Sequence, residues 1–284
     1  TEADFALMRD EMPELHHLNL KEVKVKHVCY YDGWLDHGSH DNDLYMDDMI
    51  PTNAFYGNKS IRSLILPLSL KHLGTNCFRE MRLMYSTLEI PEGVTLIGSG
   101  ALSYNEYNGV ELILPNTLDS ICDAAFHNCG YKCELKLSDN ISYIGNAFYT
   151  NTGELGCENF YGVFHLPSKI KTLVPGMFNG LGRTGKITGT IELPQGITET
   201  PDYNYWGSWA PNLTNRIELI LPSSMKRVGD LSLGAYLTKL QLNEGLEEIG
   251  YGNFSNGSAP FPLHLPSTLR SIGSDCFSGC GFEG

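Results

Sequence analysis

The sequence predicts a strand-rich solenoid with little helix, and three observations lead to this fold class. A Leu-x-Leu pair recurs at intervals of 21 to 29 residues from Leu64 onward. A proline follows most of these pairs, and a large apolar residue closes each copy. Repeats of this length are typical of solenoids, in which each copy forms one coil and the neighbouring coils bury its apolar side chains.

The clearest copy runs from Leu112 to Phe126. Its first two leucines alternate with other residues, which predicts a short strand with both leucines on one side. Pro115 then ends the strand, because proline has no N–H to donate to a ladder. The remaining apolar residues turn the chain back over the core. We predict that the following residues are buried: Leu112, Leu114, Leu118, Ile121 and Phe126.

Two further positions carry the same kind of residue in most copies, and we call each such set of equivalent residues a column. A glycine follows the isoleucine of many copies, where we expect a tight turn with positive φ: Gly74, Gly98, Gly145, Gly229, Gly250 and Gly273. The closing column predicts an aromatic spine along the stack: Phe55, Phe78, Leu102, Phe126, Phe148, Phe178, Tyr205, Leu233, Phe254 and Phe277. At a ladder spacing of about 4.8 Å, ten coils would form a rod roughly 45 Å long.

These residues resemble the BspA-like, or Treponema-type, leucine-rich repeats. The signature of that family is similar to L-x-x-I-x-L-P-x-x-L-x-x-I-G-x-x-A-F-x-x-C, and Leu263–Cys280 matches it nearly in full. The resemblance covers about Ile50 to Cys280 and departs at Thr200-Pro201, where the Ile-Gly pair is lost. It implies an α/β leucine-rich-repeat solenoid, a right-handed superhelix, on bacterial surface proteins that bind other proteins. It implies no catalytic residues.

The whole chain, residues 1–284, is predicted to be a single leucine-rich-repeat domain. Residues 1–17 form an N-terminal cap, with a helix over 1–15 that Asp4 caps and that places Phe5, Met8 and Met12 on one face. About ten coils follow over residues 18–280. An insert near 27–48 interrupts the first coil.

The insert carries His37 and His40 close to Asp41, Asn42 and Asp43. Such residues could hold calcium or a transition metal, but their spacing matches no full ligand set. We therefore expect a solvated loop, and we predict no metal and no cofactor.

The eight cysteines are expected to be buried thiols that act as small apolar residues. A disulfide between Cys129 and Cys133 is an alternative. The two C-x-x-x-C pairs are Cys129/Cys133, with His127 nearby, and Cys276/Cys280. A structural zinc site would need four ligands, and we do not expect one here.

The composition narrows the function. A formal charge of −13 argues against binding to nucleic acid or to an anionic membrane surface. No apolar run approaches the roughly 20 residues of a membrane span. No metalloprotease, phosphate-loop or nucleophile-elbow motif is present, so we predict no enzyme. We expect a monomer at the cell surface or outside the cell, with a leader removed.

The candidate binding residues point outward between the buried leucines. In curved repeat proteins such positions form a continuous binding face, and here they include Glu89, Glu111, Glu134, His165 and Glu192. Tyr203 and Trp209 belong to an aromatic stretch in a long loop, where we expect both to be exposed and Trp206 to face inward. The predicted partner is a host or bacterial surface protein. The alternative is a carbohydrate-binding accessory protein that stacks exposed Trp and Tyr on sugar rings.

Overall fold

The computed structural model describes residues 1–26, 28–30, 44–81, 87–105, 111–148, 157, 160–178, 180–181, 187–202, 217–231, 237–254 and 261–280. Within these ranges the chain is a strand-rich solenoid with one α-helix, α1 (Glu2–Asp10). This confirms the predicted fold class. The count of ten coils stays a prediction, because several stretches that join the strands fall between the described ranges.

The strands are short, and nearly all of them pair in parallel with a strand of a neighbouring coil. In chain order they are β1 (His17–Asn19), β2 (Val28–Tyr30), β3 (Leu44–Met46), β4 (Met49–Ile50), β5 (Ser63–Ile65), β6 (His72–Leu73), β7 (Leu88–Glu89), β8 (Leu96–Ile97), β9 (Leu112–Ile113), β10 (Ser120–Ile121), β11 (Tyr143–Ile144), β12 (Gly162–Val163), β13 (Ile187–Thr188), β14 (Thr190–Glu192), β15 (Ile217–Ile220), β16 (Arg227–Val228), β17 (Leu237–Gln241), β18 (Glu248–Ile249) and β19 (Ser271–Ile272).

The Leu-x-Leu pairs form one side of the solenoid, which we name the leucine sheet. It consists of β1, β5, β7, β9, β12 to β15 and β17, together with residues 133–136, and its ladders join β1 to β5, β7 to β9, β12 to β13, and β14 to β15 and β17. Equivalent leucines lie opposite one another, as Leu88 lies opposite Leu112. Because side chains alternate along a strand, the residues between the leucines point outward.

A second side, named the isoleucine sheet, carries the next apolar column. Here β4, β6, β8, β10 and β11 form an unbroken five-stranded ladder, and β16, β18 and β19 form a second ladder farther along. The inward residues of the five-stranded ladder are fully buried: Ile50, Leu73, Ile97, Ile121 and Ile144.

The third side of each coil is a run of turns that contains the closing aromatic residue. Its backbone bonds to the next coil: Phe55 N–H donates to the Cys77 carbonyl at 2.8 Å, and Phe78 N–H donates to the Ala101 carbonyl at 2.9 Å. Several residues beside the closing position have positive φ, among them Asn76 at 52°. Coil-to-coil hydrogen bonds thus satisfy backbone groups that the turn itself leaves unpaired.

The predicted aromatic spine is present wherever its column is described. Phe55 stacks on Phe78 with ring centroids 5.9 Å apart, and Phe126 stacks on Phe148 at 5.0 Å. These four rings are fully buried. Tyr205 and Leu233 lie outside the described residues.

Glycine recurs after the isoleucine for a different reason from the predicted one. Neither Gly74 nor Gly98 has positive φ, and the same holds for the other glycines of the column. Instead, a Cβ on Gly74 would lie 2.5 Å from the Ile50 carbonyl oxygen, and one on Gly98 would lie 2.7 Å from the Leu73 carbonyl oxygen. The prediction of positive φ was wrong. At Gly74 and Gly98 glycine is needed because the adjacent coil approaches too closely for a side chain. The clearest copy has Cys122 in the same position.

The clearest copy is buried as predicted except at one position. Leu112, Leu118, Ile121 and Phe126 are buried, whereas Leu114 is only partly buried because it borders an opening in the leucine sheet.

The N-terminal helix is shorter than predicted. It ends at Asp10, and its N-cap is Thr1, whose hydroxyl donates to the Asp4 carboxylate at 2.7 Å. Asp4 therefore supports the cap from the first turn and does not form it. Phe5 is buried edge-on against Phe55, with ring centroids 5.5 Å apart, so the helix covers the first ring of the spine.

The insert joins neither the leucine sheet nor the isoleucine sheet through its described strands. β2 and β3 pair with each other in antiparallel fashion, with Val28 opposite Met46. The residues proposed as a possible metal site, His37, His40 and 41–43, lie outside the described residues.

Candidate functional site

The candidate site is the outer face of the leucine sheet, meaning the outward-pointing side chains of its strands. The five described residues that the sequence singled out all lie on this face and are exposed: Glu89, Glu111, Glu134, His165 and Glu192. Their placement follows from the alternation of the strands. Whether they contact a partner stays a prediction.

Acidic and basic side chains are mixed along this face. The Lys136 ammonium lies 2.9 Å from the Glu134 carboxylate, and the Lys239 ammonium lies 3.9 Å from that of Glu218. Both pairs are well exposed, and such pairs contribute little to stability. They remain available for exchange with charges on a partner.

Apolar side chains are interspersed among these charges. Ile65 is 51% exposed, Ile113 is 43% exposed and Val163 is 65% exposed. Ile113 lies opposite Glu89 in the β7–β9 ladder. The outer face therefore offers aliphatic surface beside carboxylates.

His165 makes a specific contact near the middle of the face. Its Nε2 lies 2.9 Å from the Asp139 carboxylate, and the Ser168 backbone N–H donates to the same oxygen at 3.3 Å. These hydrogen bonds lower the pKa of Asp139, with His165 making the larger contribution. The contact is exposed to solvent, so it fixes the orientation of His165 and does not form a buried catalytic pair.

A cleft of about 310 Å³ opens in the outer face between β9 and residues 133–136. Glu111 lines the cleft from the β9 side and Glu134 from the side of residues 133–136, and Phe160 and Tyr161 also line it. The cleft thus brings together two of the residues that the sequence predicted separately.

The cleft exists because the leucine sheet is interrupted here. Residues 133–136 pair with the following coil, where Leu135 N–H donates to the Tyr161 carbonyl at 3.0 Å and Tyr161 N–H donates to the Cys133 carbonyl at 3.1 Å. Within the described residues, no backbone hydrogen bond joins β9 to 133–136.

The Cys133 side chain fills the base of this gap. The Leu112 backbone N–H faces its sulfur and offsets part of the rise in the pKa of Cys133 that burial causes. The net effect is a raised pKa, so the thiol stays protonated at neutral pH and is a poor nucleophile.

Sequence reasoning missed the cleft. The Leu135 copy matches the template in its leucines, with Ser138 in place of proline, but the template carries no information on which neighbour a strand will pair with. The bridge between Glu134 and Tyr161 and the missing ladder between β9 and residues 133–136 become visible only in three dimensions.

The aromatic candidates cannot be placed on this face. Tyr203, Trp206 and Trp209 lie outside the described residues, and their predicted orientations stay predictions. Within the described part of the chain, no three His, Cys, Asp or Glu side chains are grouped so that they could hold a metal ion.

The family follows from a comparison of the sequence with models of protein families. The model of the BspA type leucine-rich repeat region matches residues 48–180 and 157–283. The chain belongs to the BspA-type leucine-rich repeat family. This confirms the resemblance seen in the repeats. A search of curated proteins gives no match.

Three solved structures are similar to this chain at low identity. A leucine-rich repeat protein from Bacteroides ovatus shares 18% identity over 93% of this chain and 85% of its own, with a TM-score of 0.38. A leucine-rich cell surface protein from Faecalibacterium prausnitzii shares 16% identity over 93% and 79%, with a TM-score of 0.39. The pneumococcal vaccine antigen PcpA shares 14% identity over 92% and 69%, with a TM-score of 0.42.

The helix content of the described residues bears on membrane topology. Among them, no helix has the length and apolar character needed to cross a bilayer.

Proposed function

We propose that this BspA-type repeat protein is a protein-binding module of the bacterial surface, adhesin-like and without catalytic activity. It binds as a monomer through the outer face of the leucine sheet. The observation that carries the proposal is the cleft, which joins Glu111 and Glu134 on the face that the repeats leave exposed.

The chemistry of the face favours a basic protein partner with aliphatic side chains. Carboxylates dominate the candidate positions, and Ile65, Ile113 and Val163 present apolar surface between them. A lysine or arginine of the partner would lay its apolar stem along these residues and place its charge beside a carboxylate. The overall charge of −13 would also attract a basic partner at long range.

The cleft supplies the depth that a flat sheet face lacks. Binding energy in protein interfaces concentrates at a few side chains that enter well-packed pockets. A partner side chain between Glu111 and Glu134 would contact Ile113 and Tyr161 and would compete with Lys136 for the Glu134 carboxylate. We therefore place the centre of the interface at this cleft.

The function is tested by capture of surface proteins on the immobilised chain, with quantitative mass spectrometry of what is retained. The test variant carries Glu89→Lys, Glu111→Lys and Glu134→Lys together. We expect the retained amount of each protein that the wild-type chain captures to fall at least tenfold, because a basic partner would then meet like charges.

A control variant carries Glu11→Lys, Glu14→Lys and Glu22→Lys, three exposed residues near the N-terminus. Both variants change the net charge by the same amount, so only the position of the charges differs. The control should retain the same proteins as the wild type. Equal loss in both variants would show non-specific charge attraction and would contradict the proposed interface.

Glycan arrays run beside the protein capture separate the alternative function. Binding to glycans that survives the triple variant of the outer face, without any retained protein, would support a carbohydrate-binding accessory protein in place of the proposed module.

A further inference from the structure

Two buried cysteines from different repeats meet inside the solenoid. Cys129 follows the turn that contains Phe126, and Cys157 precedes Phe160. Both are fully buried, and their sulfur atoms lie 3.3 Å apart, although 28 positions separate them in the sequence. In the structure both are thiols.

The surroundings hold this pair in a defined place. The Cys157 thiol donates to the Phe126 carbonyl at 2.7 Å. The Phe160 ring packs edge-on against Phe126, with centroids 6.3 Å apart, and against Phe148 at 6.2 Å. The bond to the Phe126 carbonyl therefore holds the Cys157 sulfur beside the turn that Cys129 follows.

Cys133, the sequence-based candidate for pairing with Cys129, is engaged elsewhere. Its sulfur faces the Leu112 backbone N–H at the base of the cleft. The geometry thus favours a different partner for Cys129 from the one that sequence spacing suggests.

We propose that Cys129 and Cys157 are a disulfide site, closed when the protein folds under oxidising conditions. The sulfurs need to approach by only a little more than 1 Å to reach the usual S–S length of about 2.05 Å. The two thiols lose two protons and two electrons, and one S–S bond forms. A low-molecular-weight disulfide such as oxidised glutathione accepts the electrons and is released as two thiols by exchange.

Burial of the two thiols makes this reaction slow once the protein has folded. It raises the pKa of Cys129 well above the ordinary value, and the attacking species in exchange is the thiolate. The folded, reduced protein should therefore react slowly with oxidised glutathione, whereas refolding in its presence should close the bond.

The bond would tie the stretch between Phe148 and Phe160 to the preceding coil. A disulfide between cysteines 28 positions apart closes a loop and so restricts the conformations of the unfolded chain. We expect the oxidised protein to melt several degrees above the reduced protein.

Peptide mapping tests the pairing directly, because trypsin separates the three cysteines. It cleaves after Arg82, Lys132, Lys136 and Lys169, which gives peptides 83–132, 133–136 and 137–169. Cys129 lies in the first peptide, Cys133 in the second and Cys157 in the third. The chain is refolded with oxidised glutathione, remaining thiols are blocked with N-ethylmaleimide, and the digest is examined without reduction.

We expect peptide 83–132 to be linked to peptide 137–169. The Cys122→Ser variant should keep this link, which assigns it to Cys129, since Cys122 is the other cysteine of the first peptide. A link between 83–132 and 133–136, or a Cys157 that is fully blocked by N-ethylmaleimide, would overturn the proposal.

Thermal melting with and without reductant gives a second readout. The wild type and Cys133→Ala should both lose several degrees on reduction, whereas Cys157→Ala should show no difference. A shift that persists in Cys157→Ala would overturn the assignment.

Discussion

The two sheets of the solenoid differ in strand pairing over the same stretch of the chain. From β4 to β11 the isoleucine sheet pairs every strand with the next, whereas the leucine sheet opens between β9 and residues 133–136. The stack does not separate at this opening, because the isoleucine ladder and the turns of the third side continue past it. Over this stretch, the difference indicates that those two sides hold the coils together and that the leucine sheet is free to vary its outer face.

The isoleucine sheet and the leucine sheet also differ in how closely their residues pack. After the isoleucine-sheet strand β6, the adjacent coil comes so close to Gly74 that a Cβ would lie 2.5 Å from the Ile50 carbonyl oxygen. On the leucine sheet, the outward-pointing side chains of Ile113 and Val163 are exposed. Substitutions should therefore cost stability on one side of the molecule and affinity on the other.

The largest effect on stability is expected from the spine. Phe126→Ala removes a fully buried ring that stacks on Phe148, and it should lower the free energy of unfolding by about 3–5 kcal/mol. Ile113→Ala on the outer face should change it by no more than about 0.5 kcal/mol. Denaturant unfolding measures both changes. Equal losses of unfolding free energy in the two variants would contradict the contrast between spine and outer face.

The next effect concerns the corner of the isoleucine sheet. Gly74→Ala would place a Cβ 2.5 Å from the Ile50 carbonyl oxygen, so we expect a loss of about 3 kcal/mol from the strain between coils. Gly57→Ala is the control: its φ is 70° and no atom lies within 4 Å of the added Cβ, so only the cost of the left-handed conformation remains, about 1 kcal/mol. Thermal melts in which Gly57→Ala is the more damaging change would refute the close-approach explanation.

A smaller effect is expected from an ion pair on the isoleucine side. The Asp202 carboxylate accepts from the Asp230 backbone N–H at 2.8 Å and from the Arg227 guanidinium at 2.7 Å, and these bonds lower the pKa of Asp202. Because the folded pKa is depressed, this stabilisation is complete above the unfolded pKa of about 3.9 and is lost as the pH falls through the folded pKa.

Asp202→Asn should therefore cost about 0.5 kcal/mol at pH 7, the usual size for an exposed pair. The difference from wild type should shrink when unfolding is measured below pH 3. A difference that grows on acidification would reverse the assigned sign.

No effect on stability is expected from chelation. The insert between β2 and β3 contributes no described strand to either stacking ladder, and no metal is predicted there. A chelator should leave the melting temperature unchanged, and a drop of several degrees would restore the hypothesis of a site at His37 and His40.

The repeat spacing was enough to predict the solenoid, the burial of Leu112 and Ile121, and the aromatic spine, because each depends on local alternation and on a recurring position. The glycine column was located correctly but explained wrongly, since a sequence does not show how near the neighbouring backbone lies. The exposure of Glu111 and Glu134 was predictable from alternation. Their meeting across a cleft was not, because the repeat template does not show that the ladder between β9 and residues 133–136 stays open.

Amide hydrogen exchange at single-residue resolution tests the division between the two sheets most directly. The Gly98 N–H donates to the Leu73 carbonyl at 2.9 Å and the Cys122 N–H to the Ile97 carbonyl at 2.9 Å, both between adjacent coils. Among the described residues no backbone carbonyl accepts the Leu112 N–H, which faces the Cys133 sulfur at the cleft, and sulfur is a weak acceptor. We expect Gly98 and Cys122 to be among the slowest amides to exchange and Leu112 to exchange at least tenfold faster. Equal protection of the three amides would show that the leucine sheet holds the stack as tightly as the isoleucine sheet, and would contradict this account.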